Sequence, residues 1–577
     1  MKIKHLFGLA VIAAMTASCS SNEDLGTAGS GTGTNEAGVG YATFTINLPS
    51  VSGTRAADAG GAEVNPGSED EYTVSDATAL IFQEYGADEG SYKFVESVNL
   101  PVTGAWEDAG GGVTKSKKLV AKLTNVDTKN TYGVLVLLNN NITGGVKIAL
   151  PTAGQSYNDW NNTVLSPDLA ELAKTGEFYM ANAPLCESGK VTTLVTIDKT
   201  KIYATETEAK TKTSADVYVE RGVAKMTVAD PGKITVKDKA TSAETKSDVT
   251  FNKWALDITN KKTFAVHNID GLSKKFPAIW TTARFSGLNS RVYWGKDPNY
   301  DNEGLKKNDA TGDGLRDKEF NSITATSEIN KDFTTTTATN PVYCLENTFN
   351  LANMYQGQTT RVIFKAKYAP MNDAGVSLAE TDGTFYTIGN MKNILKEADL
   401  EAAVNAAATS VLSGCTVDYE ANLKKEGSHV ITLADIKDAS GATLVAGKDY
   451  SGKTGDQIVA DINTKLGLKT GRKEEMVGIN TYFKGVTYYI ARVKHFGDAL
   501  TKWESGENYG DNNDKYLGRY GMLRNNWYEL KVGNVYGPGY PGVPPVDPNQ
   551  PDDENEKYLS VSVKILDWAK RSQSVDL

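Results

Sequence analysis

Residues 41–50 read YATFTINLPS: Ala42, Phe44, Ile46 and Leu48 alternate with Tyr41, Thr43, Thr45 and Asn47, and Pro49 closes the run. A period of two gives a strand one apolar face, and a proline, lacking an N–H, ends the ladder. The next stretch, VSGTRAADAGGAEVNPG (51–67), is polar, has no apolar period and carries Arg55. A strand followed by an open loop is the unit from which the rest is read.

Outward from it the pattern recurs. ATALIFQEY (77–85), TYGVLVLLNNN (131–141), KVTTLVTI (190–197) and DVYVERGVAKMTV (216–228) are short runs rich in Val, Thr, Ile and Tyr between Gly, Asn and Asp turn clusters. Such spacing predicts an all-β sandwich or barrel rather than alternating βαβ units. Helical periodicity is confined to residues near 165–174, 390–408 and 456–466, read as excursions from a β framework. With 577 residues, 40% of them hydrophobic, the chain has material for two or three cores, because a single core stops growing at about 250–300 residues.

The formal charge of −10 excludes a phosphate-backbone partner, which requires clustered Lys and Arg. MKIKHLFGLAVIAAMTASC (1–19) reads as an export signal: Lys2 and Lys4 lead, Leu6 to Met15 are apolar, and small residues precede Cys19. A small-residue run ending in Cys resembles a bacterial lipobox, which makes Cys19 the lipidation site and the precursor lipid the only membrane contact. Plain signal cleavage near Ser18 is the alternative. Residues 20–40 are polar and small, a tether. Cys186, Cys344 and Cys415 are odd in number and widely spaced, which fits neither a disulfide ladder nor a zinc pattern.

Residues 537–556, GPGYPGVPPVDPNQPDDENE, hold six of the seventeen prolines and read as a semi-extended linker. Beyond it, in KYLSVSVKILDWAKRSQSVDL (557–577), Leu559, Val561, Val563 and Ile565 alternate with Ser560, Ser562 and Lys564, and Trp568 follows. A strand with one apolar face and no hairpin partner seeks a sheet edge. It can fold back on its own sandwich or leave the subunit, and a twenty-residue linker reaching roughly 60 Å favours leaving. If the loop at Arg55 is cut and strand 41–50 departs, it uncovers a groove that such a strand can fill. Four or five apolar side chains entering it contribute on the order of 10 kcal/mol before association costs. Donor and acceptor being different surfaces, the contact is head-to-tail and propagates as a fibre.

YVERGVAKMTV (218–228), PVYCLENTF (341–349), TRVIFKAKY (360–368), GVTYYIARV (485–493), RNNWYELKV (524–532) and the ending VSVKILDWAKRSQSVDL resemble the Bacteroidales type V fimbrillins, and among them the major shaft subunits. The resemblance runs from the lipobox to Leu577. It implies two tandem transthyretin-like β-sandwiches and a lipidated precursor, destined for the outer membrane and then the cell-surface fimbria. It further implies an arginine-specific surface protease cutting between Arg55 and Ala56, and C-terminal strands that complete a neighbouring copy. Phe44, Ile46 and Leu48 are then the core of the removable strand, and Leu559, Val561, Val563, Ile565 and Trp568 the donor. The implied partners are other copies of the chain, anchor and tip fimbrillins, and a host or bacterial adhesion target. The expected division is signal 1–19, propeptide 20–55, first sandwich 56–216, second sandwich 217–536, linker 537–556 and donor 557–577, with VYVER marking entry into the second sandwich. A tip subunit of the same fimbria is an alternative.

GKDYSGKT (447–454) satisfies phosphate-loop spacing, but no strand ending in a magnesium-binding Asp follows, and the loop reads as a sheet corner. Asp309, Thr311, Asp313 and Asp317 are spaced as calcium ligands, yet Phe320 stands where a bidentate Glu is needed. His5, His267, His429 and His495 are scattered. Trp254, Trp280, Trp294, Trp503, Trp527 and Trp568 are read as core or groove packing, with a sugar-binding floor as the alternative. That alternative defines the rival function, a surface glycan-binding outer-membrane lipoprotein. The sequence implies no catalytic residue, no cofactor and no metal.

Overall fold

A computed structural model describes residues 33–35, 38–49, 67–108, 115–142, 145–187, 190–280, 285, 290–302, 305, 315–334, 340–389, 393–418, 424–469, 477–504, 507, 509, 514–544, 546, 559–566 and 571–572. The architecture is mostly β, with many sheets and few short helices, as the alternating runs predict. Residues near 165–174, 390–408 and 456–466 contain helices Leu169–Leu172, Glu397–Val411 and Gly455–Lys465.

The first sheet is built from β1 (Gly40–Asn47), β2 (Ala77–Gln83), β3 (Lys93–Leu100), β4 (Ser116–Leu123), β5 (Tyr132–Leu138), β6 (Met180–Asn182), β7 (Val195–Ile197) and β8 (Ala215–Arg221). The strand order is β3-β2-β5-β6-β8-β1-β4, with β7 also on β5. The sheet curls until its two end strands approach: the Glu96 carboxylate on β3 accepts from Thr124 N at 3.0 Å and Asn125 N at 2.9 Å, just beyond β4. β5 is buried along its whole length, so its continuous apolar run Val134–Leu138 lies at the middle of one core.

Two sheets form the second unit. One contains β9 (Ala224–Val228), β12 (Val342–Cys344), β15 (Trp527–Val535), β16 (Leu559–Leu566) and β17 (Arg571–Ser572), in the order β12-β9-β15-β16-β17. The other contains β10 (Lys233–Lys237), β11 (Glu244–Asp257), β13 (Arg361–Ala369) and β14 (Val486–Arg492), in that order. Met226, Tyr528 and Leu530 from one sheet and Phe251, Phe364 and Tyr489 from the other share one core, which is how face-to-face sheets bury their alternate residues.

Each unit contains a parallel pair of strands. β1, the first strand of the first sheet, runs parallel to β8, its last; β9 opens the second unit and runs parallel to β15. The passage between units falls at Gly222 and Val223, after VYVER has completed the first sheet as β8, five residues beyond the expected entry at 217. Gly222 is required there because a Cβ would come within 2.7 Å of the Tyr179 ring.

Between β13 and β14 the chain makes an excursion with its own core. Strands Phe385–Ile388, Gly427–His429 and Ile479–Tyr482 form a small sheet, and Leu400, Val404, Ile458 and Ile462 of the two longer helices pack beside it. The helical pattern was readable, but its assembly into a separate core depends on long-range packing that the pattern does not encode.

Candidate assembly site

β1 is a central strand. It pairs antiparallel with β4 along its full length, Gly40↔Leu123 to Asn47↔Ser116, and parallel with β8 from Phe44↔Ala215 to Asn47↔Tyr218. Ala42, Phe44 and Ile46 are completely buried and Leu48 is 1% exposed. The opposite face is covered as well: Thr43 Oγ1 donates to Ala209 O at 2.6 Å, at the end of the short helix Glu206–Thr211, and Thr43 N donates to Ser214 Oγ at 2.9 Å. Phe44, Ile46 and Leu48 together stabilise the sheet by about 5–9 kcal/mol at roughly 1.5–3 kcal/mol per buried side chain. Taking β1 out opens two ladders and separates β4 from β8.

Residues 50–66, with Arg55 and Ala56, lie outside the described residues, as do Cys19 and Trp568. The chain that follows residue 66 is held firmly. Glu71 accepts from Lys225 Nζ at 2.7 Å, from Ser68 N at 3.0 Å and from the Tyr343 hydroxyl, and Arg221 Nε donates to Glu71 O at 2.7 Å. Lys225 Nζ lies 3.8 Å from the Trp527 ring centroid. Burial pushes the Glu71 carboxyl upward, but Lys225 and Arg221 outweigh it and hold it below the usual carboxylate range. Nothing in the period-two pattern announces this cluster, because its members come from residues 71, 221, 225, 343 and 527.

The terminal strand pairs with its own subunit. β16 lies antiparallel on β15, with Tyr528↔Ile565, Leu530↔Val563, Val532↔Val561 and, across a bulge, Val535↔Leu559. Tyr528, Leu530, Val532 and Val535 are buried in the second core. Of the two placements the sequence allowed, folding back is the one found in the single uncut chain. β1 fills the slot between β4 and β8, and the tail pairs with β15, whose other side is taken by β9.

The proline segment is partly docked rather than free. Tyr489 Oη donates to Gly537 O at 2.8 Å, Tyr482 Oη to Gly539 O at 2.9 Å, and Arg361 Nη2 to Pro544 O at 2.8 Å. Tyr488 and Tyr540 exchange backbone hydrogen bonds of 2.8 and 2.6 Å. A linker beginning at residue 537 is thereby corrected: the described residues 536–544 and 546 lie on the second sandwich. Proline lacks a donor, yet its carbonyl and those of its neighbours still accept, and the tyrosine hydroxyls are placed to use them.

Asp449–Tyr450 and Lys453–Thr454 form a two-residue hairpin ahead of the helix Gly455–Lys465. Lys453 Nζ is 2.7 Å from Asp461 Oδ2, and Gly447 N donates to Asp456 Oδ2. Asp309, Thr311 and Asp313 lie outside the described residues, and among the described residues no group of three or more His, Cys, Asp or Glu side chains could hold a metal. Trp254, Trp280, Trp294 and Trp527 are at most 2% exposed, and Trp503, half-buried, packs on an aromatic core. His267 and His495 are buried, bonded to Glu220 and to Tyr528 and Tyr293. Cys186, Cys344 and Cys415 are buried and free. No helix among the described residues is long and apolar enough to cross a membrane.

Residues 480–574, which include β14, β15, the docked proline segment and β16, match the family described as "Major fimbrial subunit protein type IV, Fimbrillin, C-terminal". No curated protein matches the chain. Seven chains of solved structures match, among them a fimbrial assembly protein from Parabacteroides distasonis, 12% identical, covering 61% of this chain and 93% of that chain with a TM-score of 0.27. The family match is confined to the C-terminal part of the 577-residue chain, where the docked proline segment and β16 lie.

Proposed function

We propose that this chain is the major shaft subunit of a type V fimbria, built from two tandem transthyretin-like sandwiches and exported as a precursor lipidated at Cys19. An arginine-specific protease cuts after Arg55, β1 leaves with the propeptide, and the mature chain begins at Ala56. Residues 557–577 of one copy then fill the slot between β4 and β8 of the next, and the shaft so formed joins anchor and tip subunits and supports adhesion. The observation that carries this reading is the placement of β1: a buried strand with two ladders, which precedes Arg55 in the chain. The family match over residues 480–574 adds weight at the tail.

Mass spectrometry of the surface-extracted protein tests the processing step. An N-terminus at Ala56 is expected, and a mature protein still carrying lipid on Cys19 would refute it. The register of β16 on β15 favours a second reading, a surface lipoprotein whose tail stays docked after processing.

A further inference from the structure

The tail is held in two different ways, and only one of them suits a strand that departs. β16 is bound along a sheet edge, by one ladder to β15 and a two-residue pairing with β17. Residues 537–544 and 546 instead sit against the other sheet, along β14 and over the end of β11. Gly539 is packed so closely that a Cβ would meet Tyr488 O at 2.1 Å. Tyr540 and Val543 pack on Ile363 and Tyr488. Val546 packs on Ile258, Leu305 and Phe320.

Arg361 closes this seat: its Nε donates to Asp257 Oδ2 at 2.7 Å while its Nη2 donates to Pro544 O at 2.8 Å, with both side chains at most 3% exposed. Asp257 is fixed in turn, accepting from Ile258 N at 2.9 Å and Ile323 N at 2.7 Å. Ile258, at φ 59, holds a left-handed conformation that a β-branched residue adopts only when its surroundings impose it. Lifting the segment would strip acceptors from Arg361, Tyr482 and Tyr489 in a buried place, which a sheet edge exposed by a departing strand does not require.

We infer that residues 537–546 are a fixed strap, seated by Arg361, Tyr482, Tyr488 and Tyr489, that stays on the donor subunit when β16 leaves, so that the donor swings from residue 547. This rests on the strand-donation reading above and names the part that sets its reach. Twelve residues, 547–558, span roughly 35–40 Å at about 3.1 Å per residue, in place of the roughly 60 Å of a linker free from 537. A shorter tether allows fewer relative positions of successive subunits and raises the effective concentration of the donor at its slot.

Hydrogen exchange of the full-length precursor and of polymer made from it by cutting after Arg55 tests the strap. Peptides containing Tyr488 and Tyr540 are expected to exchange at rates within about two-fold of each other in the two states. Acceleration of Tyr540 by about ten-fold or more on assembly would overturn the inference. Gly539→Val is expected to speed exchange at Tyr540 and Val543 by about ten-fold without affecting β15, and to lengthen or broaden the subunit repeat seen by electron microscopy. A freed strap with an unchanged repeat would also overturn it. Should the wild-type cut chain form no polymer, strand donation itself fails. The precursor then still decides the anchorage, because rapid exchange at Tyr540 in the monomer removes the strap.

Discussion

β1 and β16 carry the same pattern in opposite circumstances. Ala42, Phe44, Ile46 and Leu48 alternate with polar residues as Leu559, Val561, Val563 and Ile565 do. β1 has a ladder on each side and cover on both faces, whereas β16 lies beside β15 with only the two-residue β17 beyond it. The strand with the stronger seat is the one that precedes Arg55, and the strand with the weaker seat lies near the C-terminus. Binding strength alone would keep β1 and release β16, so exchange requires a covalent cut, and Arg55 is where the account places it.

The largest expected effect separates the two strands outright. A chain ending at Glu556 and cut after Arg55 is expected to remain monomeric on size exclusion, and Arg55→Ala is expected to leave the full chain uncut and free of fibres. Fibres from either variant would show that the strands do not exchange.

Next comes an effect on stability that should change with processing. Phe44→Ala is expected to cost the precursor about 3–5 kcal/mol in urea unfolding, the usual cost of emptying a buried aromatic position, and to leave polymer made from the same precursor unaffected. Val563→Ala should do the reverse, costing little in the precursor and weakening the polymer. Equal costs for Phe44→Ala before and after cutting would mean that β1 never leaves.

A similar magnitude is expected at the cluster beside the loop. Glu71→Gln leaves Lys225 buried without its carboxylate and should destabilise both precursor and polymer by about 3 kcal/mol, because the cluster lies on the side of the cut that stays. An effect confined to the precursor would place Glu71 with the departing segment.

The smallest effect concerns pH. Neither GYATFTIN nor LSVSVKIL contains an acidic residue or histidine, so the pH profiles of precursor and polymer should run parallel. Their shape is set elsewhere. Glu71, held low, contributes stability that is present above its unfolded value and lost as pH falls through the folded one. Burial raises Asp297 to about 8 against the N–H groups of Thr348 and Asn299, so its contribution is present in acid and is lost as pH rises toward 8. Thermal unfolding should therefore peak near roughly pH 4–5, around the unfolded values of the two carboxyls, and fall as pH rises toward 8. A profile that steepens after cutting would point to titrating groups in the strands themselves.

The β framework was legible because YATFTINLPS and its relatives state a period of two, and three helical segments were legible from their own period. That β1 pairs with residues 215–218 and 116–123 was not legible, since register across such separations is set by the whole core. The tail strand was legible as a strand but not its partner: Val561 and Val563 suit β15 and the β1 slot equally. The proline run was misread as wholly free because an absent N–H says nothing about carbonyls. The Glu71, Lys225 and Arg361 contacts left no sequence signal beyond being charged residues, which are usually exposed.

One measurement addresses exchange directly. Ser562 is the middle residue of 559–565 and Thr45 the middle residue of 42–48, so Ser562 takes the place of Thr45 whichever way the donor runs. Thr45 faces Asp216 of β8, and in the uncut chain Ser562 faces Lys531 of β15. In Ser562→Cys/Asp216→Cys precursor cut after Arg55 and gently oxidised, non-reducing electrophoresis should show a ladder of disulfide-linked chains. If instead Ser562→Cys/Lys531→Cys closes within single chains to the same extent before and after cutting, and the first pair gives no ladder, the tail belongs to its own subunit and the strand-exchange account is wrong.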